Sequence, residues 1–106
     1  MWLLRALDGN DDRTITFRLT AGAIKTMGRS SVADFCVDAP LVSRLHCRVS
    51  VAGDGSVRVV DLDSTNGTWI DGERISESTL AEGHHLRVGR VEFVLERATA
   101  EGGTQN

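Results

Sequence analysis

The chain has 106 residues, of which 41% are hydrophobic and 25% are charged. This length and composition suit a single soluble globular domain with one core and are too small for two such domains. Its 12 basic and 15 acidic residues give a net charge of −3, and they form no Lys/Arg cluster, so the composition does not favour nucleic-acid binding.

The first ten residues, MWLLRALDGN, do not resemble a secretory signal, because Arg5 follows the apolar run and no long hydrophobic region comes after it. No segment approaches the roughly 18 apolar residues that a membrane-spanning helix needs, so no membrane association is expected. Cys36 and Cys47 lie in apolar strand-like segments and are predicted to be small buried thiols, although a disulfide stays open. We therefore expect a protein of the reducing cytoplasm.

Short runs of alternating apolar and polar residues predict β-strands along most of the chain. Every second residue of these runs is expected to face the core: Ile15, Phe17 and Leu19 in TITFRL, Cys47, Val49 and Val51 in HCRVSV, and Val91, Phe93 and Leu95 in VEFVLE. Turns are predicted at residues 53–56 (GDGS), at Asp71–Gly72 and at Gly89, since glycine and aspartate favour the backbone of tight hairpins.

No segment predicts a helix, because the nearest candidate, SESTLAEGHHL, is too polar and is interrupted by Gly83. Short strands with turns about every eight to twelve residues predict an all-β sandwich or barrel. The final ATAEGGTQN has too few apolar residues to pack. We therefore assign the domain to residues 1–97 and a flexible tail or linker to residues 98–106.

The stretch DLDSTNGTWIDG, residues 61–72, is compatible with three kinds of site. A calcium-binding loop is not supported, because Asn66 occupies the position of the required glycine and Gly72 that of the bidentate glutamate. The sequence Asn66-Gly67-Thr68 is formally a glycosylation sequon, but without a secretory signal we interpret it as coincidental. A polar turn remains, with Asn66 predicted in the left-handed conformation and with hydroxyl and backbone N–H groups on a surface loop.

Two other segments carry similar chemistry. TMGRSS places Gly28 and Arg29 after a strand, and LVSRLHCRV places three polar residues before one. Together with the polar turn they supply two guanidinium groups, two hydroxyls and a carboxamide: Arg29, Arg44, Ser43, Thr65 and Asn66. Such a set suits a phosphate dianion, which favours charge-assisted donors.

In this order and spacing, the segments resemble the forkhead-associated (FHA) domain, whose pattern is GR, S-R-x-H, S-x-N-G-T and an N-G-like turn. The corresponding residues are Gly28–Arg29, Ser43–His46, Ser64–Thr68 and Asp71–Gly72, and the resemblance extends from Trp2 to Glu96. It implies a β-sandwich of two antiparallel or mixed sheets, with about eleven short strands and recognition loops at one end.

The resemblance also implies a non-enzymatic module that binds phosphothreonine-containing proteins or peptides, such as a Ser/Thr kinase or its substrate. Five residues are implied as ligands of the phosphothreonine: Arg29, Ser43, Arg44, Thr65 and Asn66. Arg29 and Ser43 would hold the phosphate, Thr65 would bind it or its bridging region, and Asn66 would bind the peptide backbone. Three residues would support the loops: Gly28, His46 and Gly67.

The alternative is a structural or assembly module that keeps the fold but associates without phosphate. An enzyme has little support, because no phosphate-binding P-loop, metal-ligand spacing or nucleophile–base–orienter set is present. No cofactor or metal is expected. His84 and His85 are neighbours on a strand and would face opposite ways, as would Cys47 and His46. The residues preferred around the phosphothreonine, including the third after it, stay open, as do the oligomeric state and whether further domains exist.

Overall fold

The computed structural model describes residues 1–7 and 15–98, so the predicted tail lies outside the described residues except for Ala98. Within these ranges the chain forms strands and no helix, as predicted. The strands are β1 (Trp2–Ala6), β2 (Thr16–Leu19), β3 (Ile24–Gly28), β4 (Phe35–Cys36), β5 (Cys47–Val51), β6 (Val57–Asp61), β7 (Thr68–Ile70), β8 (Glu73–Ile75), β9 (Glu77–Leu80), β10 (His85–Val88) and β11 (Val91–Arg97).

The strands form a sandwich of two sheets, which confirms the all-β prediction. The first sheet has six strands in the order β2-β1-β11-β10-β7-β8, and the second has five in the order β4-β3-β5-β6-β9. Neighbouring strands are antiparallel except for β3 and β4, which are parallel. Strands β1 and β11 pair from Trp2↔Arg97 to Ala6↔Phe93, so the first and last strands are neighbours in the same sheet.

The alternating residues of both sheets meet in one core. Phe93, Leu95, Cys47 and Val49 are fully buried, and Val51 is nearly so, as the period of two predicts. Partly buried Val91 and Phe17 pack against this core. Burial raises the pKa of the Cys47 thiol to about 12, with Asp61 adding to the effect, so this cysteine is chemically inert at neutral pH.

Two of the predicted core positions are wrong. Ile15 is 44% exposed, because β2 begins only at Thr16 and Ile15 belongs to the approach to an edge strand. Cys36 is also exposed, since β4 has only two residues and Phe35 takes the inward position. Both cysteines are free thiols.

The predicted turns occur where the glycine pattern indicates. The β5–β6 hairpin closes through the N–H of Ala52 and the carbonyl of Ser56. At the β7–β8 turn Asp71 has φ 50° and Gly72 has φ 85°, the positive pair that a two-residue hairpin with right-handed twist requires. The β3–β4, β4–β5 and β6–β7 loops lie together at one end of the sandwich, where the β10–β11 turn also packs.

Candidate functional site: a cleft between three loops

Three loops enclose a cleft of about 520 Å³ at this end of the sandwich. We call the β3–β4 loop the first, the β4–β5 loop the second and the β6–β7 loop the third. We define the cleft by its lining residues, which come from all three loops: Arg29, Asp38, Ala39, Pro40, Leu41, Val42, Ser43, Thr65 and Asn66. Four of the five predicted ligands therefore lie around one space, although up to 37 positions separate them in the sequence. The fifth, Arg44, instead lines a separate groove with Ser30, Val32 and Leu45.

The first wall of the cleft depends on a close approach of two backbones at Gly28. The N–H groups of Arg29 and Ser30 donate to the carbonyls of Ser43 and Arg44 at 2.9 and 3.1 Å. A Cβ atom at position 28 would lie 2.0 Å from the Arg44 carbonyl oxygen, a distance no side chain tolerates. Glycine is therefore required sterically at this point, and it allows Arg29 to reach the cleft.

Arg29 and Ser43 are oriented before any ligand arrives. The Arg29 Nε donates to the Val42 carbonyl at 3.1 Å, so the guanidinium is tied by one nitrogen and its other donors remain available in the described structure. The Ser43 hydroxyl accepts the N–H of Thr65 at 3.1 Å, which leaves its own proton free to donate. Such pre-ordered donors reduce the entropy lost when an anion binds.

His46 joins the first wall to the third loop. This histidine is fully buried, its Nδ1 accepts the N–H of Ser43 at 3.0 Å, and its Nε2 lies 2.8 Å from the carbonyl oxygen of Gly67. A carbonyl only accepts, so the proton must reside on Nε2 and the ring is in the neutral Nε2–H tautomer. Both ring nitrogens are thus used to hold two loops at a fixed separation.

Asp61 organises the third loop, a role that the sequence reasoning missed. Its carboxylate accepts the N–H and hydroxyl of Ser64 and, at 2.6 Å, the hydroxyl of Thr68. Burial raises the pKa of Asp61, but these hydrogen bonds outweigh burial and hold the pKa below its usual value. The spacing D-x-x-S, typical of an Asx-type turn, was the available signal.

The left-handed residues of this loop are Asp63 (φ 61°) and Gly67 (φ 90°), so the prediction for Asn66 is wrong. The Ser64 hydroxyl accepts the N–H of Gly67 at 3.0 Å and places the chain reversal there. A Cβ at Gly67 would lie 2.7 Å from the Nε of Arg74. Glycine at position 67 therefore accommodates both the positive φ and the nearby Arg74 side chain. Asn66 does not have a positive φ.

Asn66 reaches across the cleft. Its Nδ2 donates to the carbonyl of Leu41 at 3.2 Å, joining the third loop to the second. Leu41 has φ 70°, an unfavourable conformation for a non-glycine residue, and positions of this kind cluster at ligand clamps. The second N–H and the carbonyl oxygen of the Asn66 side chain remain available for a peptide backbone in the described structure.

Trp69 and Arg87 support these loops from the six-stranded sheet. The indole N–H of Trp69 donates to the Asn66 carbonyl at 3.2 Å, and the Arg87 guanidinium carbon lies 4.9 Å from the centroid of its ring. Arg87 in turn donates to the Gly89 carbonyl at 3.3 Å. A Cβ at Gly89 would lie 3.0 Å from the Pro40 carbonyl oxygen, so this turn packs closely on the second loop.

A ring of contacts therefore surrounds the cleft. Asn66 contacts Leu41, and the second loop contacts the β10–β11 turn. Arg87 bonds to that turn and lies against Trp69, which in turn donates to Asn66. Sequence reasoning missed the pairing of Trp69 with Arg87, since residues on two different strands give no local signal. Arg29 and Asp38 are the charged side chains among the described residues that line the cleft.

The histidine pair is engaged elsewhere. His84 contacts Asp71 and His85 contacts Glu92 at 3.0 Å, so the two rings face different partners. Over residues 1–7 and 15–98, no group of three His, Cys, Asp or Glu side chains is placed to bind a metal ion. In the same residues no helix is long and apolar enough to cross a membrane.

The fold and the cleft define a class: a β-sandwich whose loops at one end present converging donors suited to an anion. The family model of the FHA domain matches residues 25–89. This chain belongs to the FHA domain family. FHA domains are modules that read phosphorylated motifs through clustered basic residues.

Relatives agree with this assignment. The chain is 34% identical over 67 residues to the glycogen accumulation regulator GarA of Mycolicibacterium smegmatis, covering 63% of this chain and 42% of GarA. It thus spans less than half of that relative. The FHA domain of CT664 from Chlamydia trachomatis superposes with a TM-score of 0.86, at 30% identity over 92% of this chain and 98% of that one.

Another solved structure, described as an analysis of phosphothreonine-dependent FHA domain interactions, superposes with a TM-score of 0.77. It is 30% identical to this chain, and the superposition covers 92% of this chain and 97% of the chain in that structure. The resemblance seen in the sequence is therefore confirmed at the level of family and fold.

Proposed function

We propose that this chain is a phosphothreonine-dependent protein-binding module of Ser/Thr kinase signalling, and that it is not an enzyme. The observation that carries the proposal is the convergence of Arg29, Ser43, Thr65 and Asn66 on one cleft. Membership of the FHA family supports it, as does the phosphothreonine dependence described for a similar structure. The partner would be a protein or peptide phosphorylated on threonine, such as a kinase or its substrate.

The residues of the cleft would have different roles in binding. Arg29 would pair with the phosphate dianion through the donors not tied to Val42, and the Ser43 hydroxyl would donate to the same group. Thr65 would bond to the phosphate or its bridging oxygen, and Asn66 would bond to the peptide backbone and set its register. Arg44 stays a weaker candidate for phosphate contact, because its side chain lines the separate groove.

Selectivity for threonine would come from the apolar part of the cleft. Ala39, Pro40 and Val42 line it beside the polar residues and offer a surface for the γ-methyl group. Burying one methyl group contributes about 0.8 kcal/mol, which is about fourfold in affinity over phosphoserine.

We assign this binding unit to residues 1–97, which is supported by the end of β11 at Arg97. The free thiols of Cys36 and Cys47 support a cytoplasmic location, where thiols stay reduced.

The test is the binding of degenerate peptide libraries that carry phosphothreonine, phosphoserine or unmodified threonine. The wild-type chain should bind the phosphothreonine library most tightly. Arg29→Ala should weaken that binding by about tenfold to a hundredfold, because a hydrogen bond to a charged group contributes about 1.5–3 kcal/mol. Arg48→Ala is the matched control, since Arg48 is exposed on β5 and does not line the cleft.

Equal binding of all three libraries by the folded chain would contradict the proposal. In that case, association with a partner that survives Arg29→Ala would favour the phosphate-independent assembly module.

A further inference from the structure

A second concave surface, which we call the side groove, lies next to the cleft. It has a volume of about 390 Å³ and is lined by Ser30, Val32, Arg44 and Leu45. In the function proposed above, Ser30, Val32 and Leu45 have no role, and Arg44 is only a weaker candidate for phosphate contact. The side groove is therefore without an assigned function.

The side groove neighbours the cleft, because the β3–β4 and β4–β5 loops contribute to both. Arg29 and Ser43 line the cleft, and the residues that directly follow them, Ser30 and Arg44, line the side groove. Hydrogen bonds from the N–H groups of Arg29 and Ser30 hold these loops together between the two surfaces. A peptide whose phosphate is bound by Arg29 and Ser43 can therefore reach the side groove without leaving the protein surface.

The lining chemistry favours an aliphatic occupant. Val32 is 78% exposed and Leu45 is 45% exposed, so two branched aliphatic side chains are left in water. Single exposed apolar residues are ordinary, but here two share one concavity beside the cleft. The Ser30 hydroxyl accepts the N–H of Val32 at 3.2 Å and is partly used, and Arg44 contributes an aliphatic stem.

We propose that the side groove is a specificity subsite that takes an aliphatic side chain of the phosphothreonine ligand. This inference rests on the proposed function, and it adds which peptides the module selects. Burial of one aliphatic side chain against Val32 and Leu45 should raise affinity by about threefold to tenfold.

The test begins with phosphothreonine libraries in which each flanking position is varied in turn. The wild-type chain should select Leu, Ile, Val or Met at one flanking position, and this selection should depend on Val32 and Leu45. Two peptides that differ only by Leu or Ser at this position are then compared by calorimetry. The double variant Val32→Ser/Leu45→Ser should bind these two peptides equally.

Ile24→Ser is the matched control, because Ile24 is 66% exposed and begins β3 at the end of the strand away from the loops. It should keep the wild-type preference for the Leu peptide. Thermal unfolding of both variants checks that the fold persists, as expected for such exposed side chains.

Three results would overturn the inference: no aliphatic preference at any flanking position, a preference that survives in the double variant, or an equal loss of preference in Ile24→Ser. Each of these is compatible with phosphothreonine binding that depends on Arg29, so the proposed function would stand. Absence of phosphate-dependent binding by the wild-type chain would instead remove the proposed function and this inference with it.

Discussion

At the scale of single residues, the third loop depends on one carboxylate. Asp61 accepts three hydrogen bonds from Ser64 and Thr68, which lie on either side of Thr65 and Asn66 in the sequence. All three donors bind the ionised form of Asp61. The geometry of the third loop therefore depends on the charge of Asp61, although this residue does not line the cleft.

Replacing Asp61 by Asn should lower the free energy of unfolding at pH 7 and reduce its loss in acid. The folded-state pKa lies below the unfolded value near 3.9, so the stabilisation from Asp61 is fully present above about pH 5 and disappears as the pH falls through the folded pKa. Urea unfolding at pH 7 and pH 3 measures both effects. The difference between wild type and Asp61→Asn should therefore shrink at pH 3.

Asp63→Asn is the control for this comparison. Asp63 is exposed, and Asn tolerates its positive φ, so this change should leave stability and its pH dependence near those of the wild type. A stability difference between Asp61→Asn and wild type that is as large at pH 3 as at pH 7 would show that the ionised carboxylate is not what holds the loop.

At the scale of elements, strands β7 and β10 act as the support of the cleft. Trp69 from β7 holds the backbone of the third loop, and Arg87 from β10 lies against the indole ring while it bonds to the β10–β11 turn. The two walls of the cleft are therefore connected through the sheet, as well as across the opening by Asn66.

Trp69→Phe should lower the free energy of unfolding by up to about 1.5 kcal/mol and should also weaken phosphothreonine-peptide binding. Phenylalanine keeps most of the packing but loses the N–H bonded to the Asn66 carbonyl, a hydrogen bond worth about 0.5–1.5 kcal/mol. Because Asn66 would set the register of the peptide, a less firmly held Asn66 should also lower affinity. Calorimetric titration with one phosphopeptide, alongside urea unfolding, separates the two quantities.

Trp2→Phe is a closely matched control. Trp2 also donates its indole N–H to a loop carbonyl, that of Gly55 at 2.8 Å, and an arginine, Arg97, lies 4.4 Å from its ring centroid. This site is on the β5–β6 hairpin, away from the cleft. If the two variants lowered peptide affinity equally, the loss could not be assigned to support of Asn66.

At the scale of the whole molecule, pairing of distant strands should make folding slow. Strands β1 and β11 join the two ends of the described chain, and β6 pairs with β9 across the excursion of β7 and β8 into the other sheet. Closing such long loops before contacts form is entropically costly, so all-β sandwiches fold in milliseconds to seconds.

Stopped-flow refolding from urea, followed by Trp fluorescence, should therefore show a main phase slower than about one millisecond. A protein whose strands pair mainly with their neighbours in sequence would refold faster. Complete refolding within microseconds would contradict the dependence on β1–β11 and β6–β9 pairing.

The sequence predicted most strands and turns because a period of two and the glycine positions are local properties. It failed where the outcome depends on partners: Ile15 lies before an edge strand, and the left-handed conformation belongs to Gly67 because of Ser64 and Arg74. In the site, the spacing of motifs predicted four of the residues that line the cleft. The contact between Trp69 and Arg87 was missed because it joins two strands through the folded structure. Asp61 was missed although the spacing D-x-x-S offered a local signal.

The pairing of β1 with β11 also determines how the module can be attached to a label, a surface or another domain. The N–H of Ala98 donates to the carbonyl of Met1 at 2.9 Å, so both ends of the described chain leave the sandwich side by side. They do so beside the β5–β6 hairpin, at the pole opposite the cleft. A fluorophore, a bead or a neighbouring domain tethered at either end would therefore project the recognition loops outward, and one anchoring point would serve both termini.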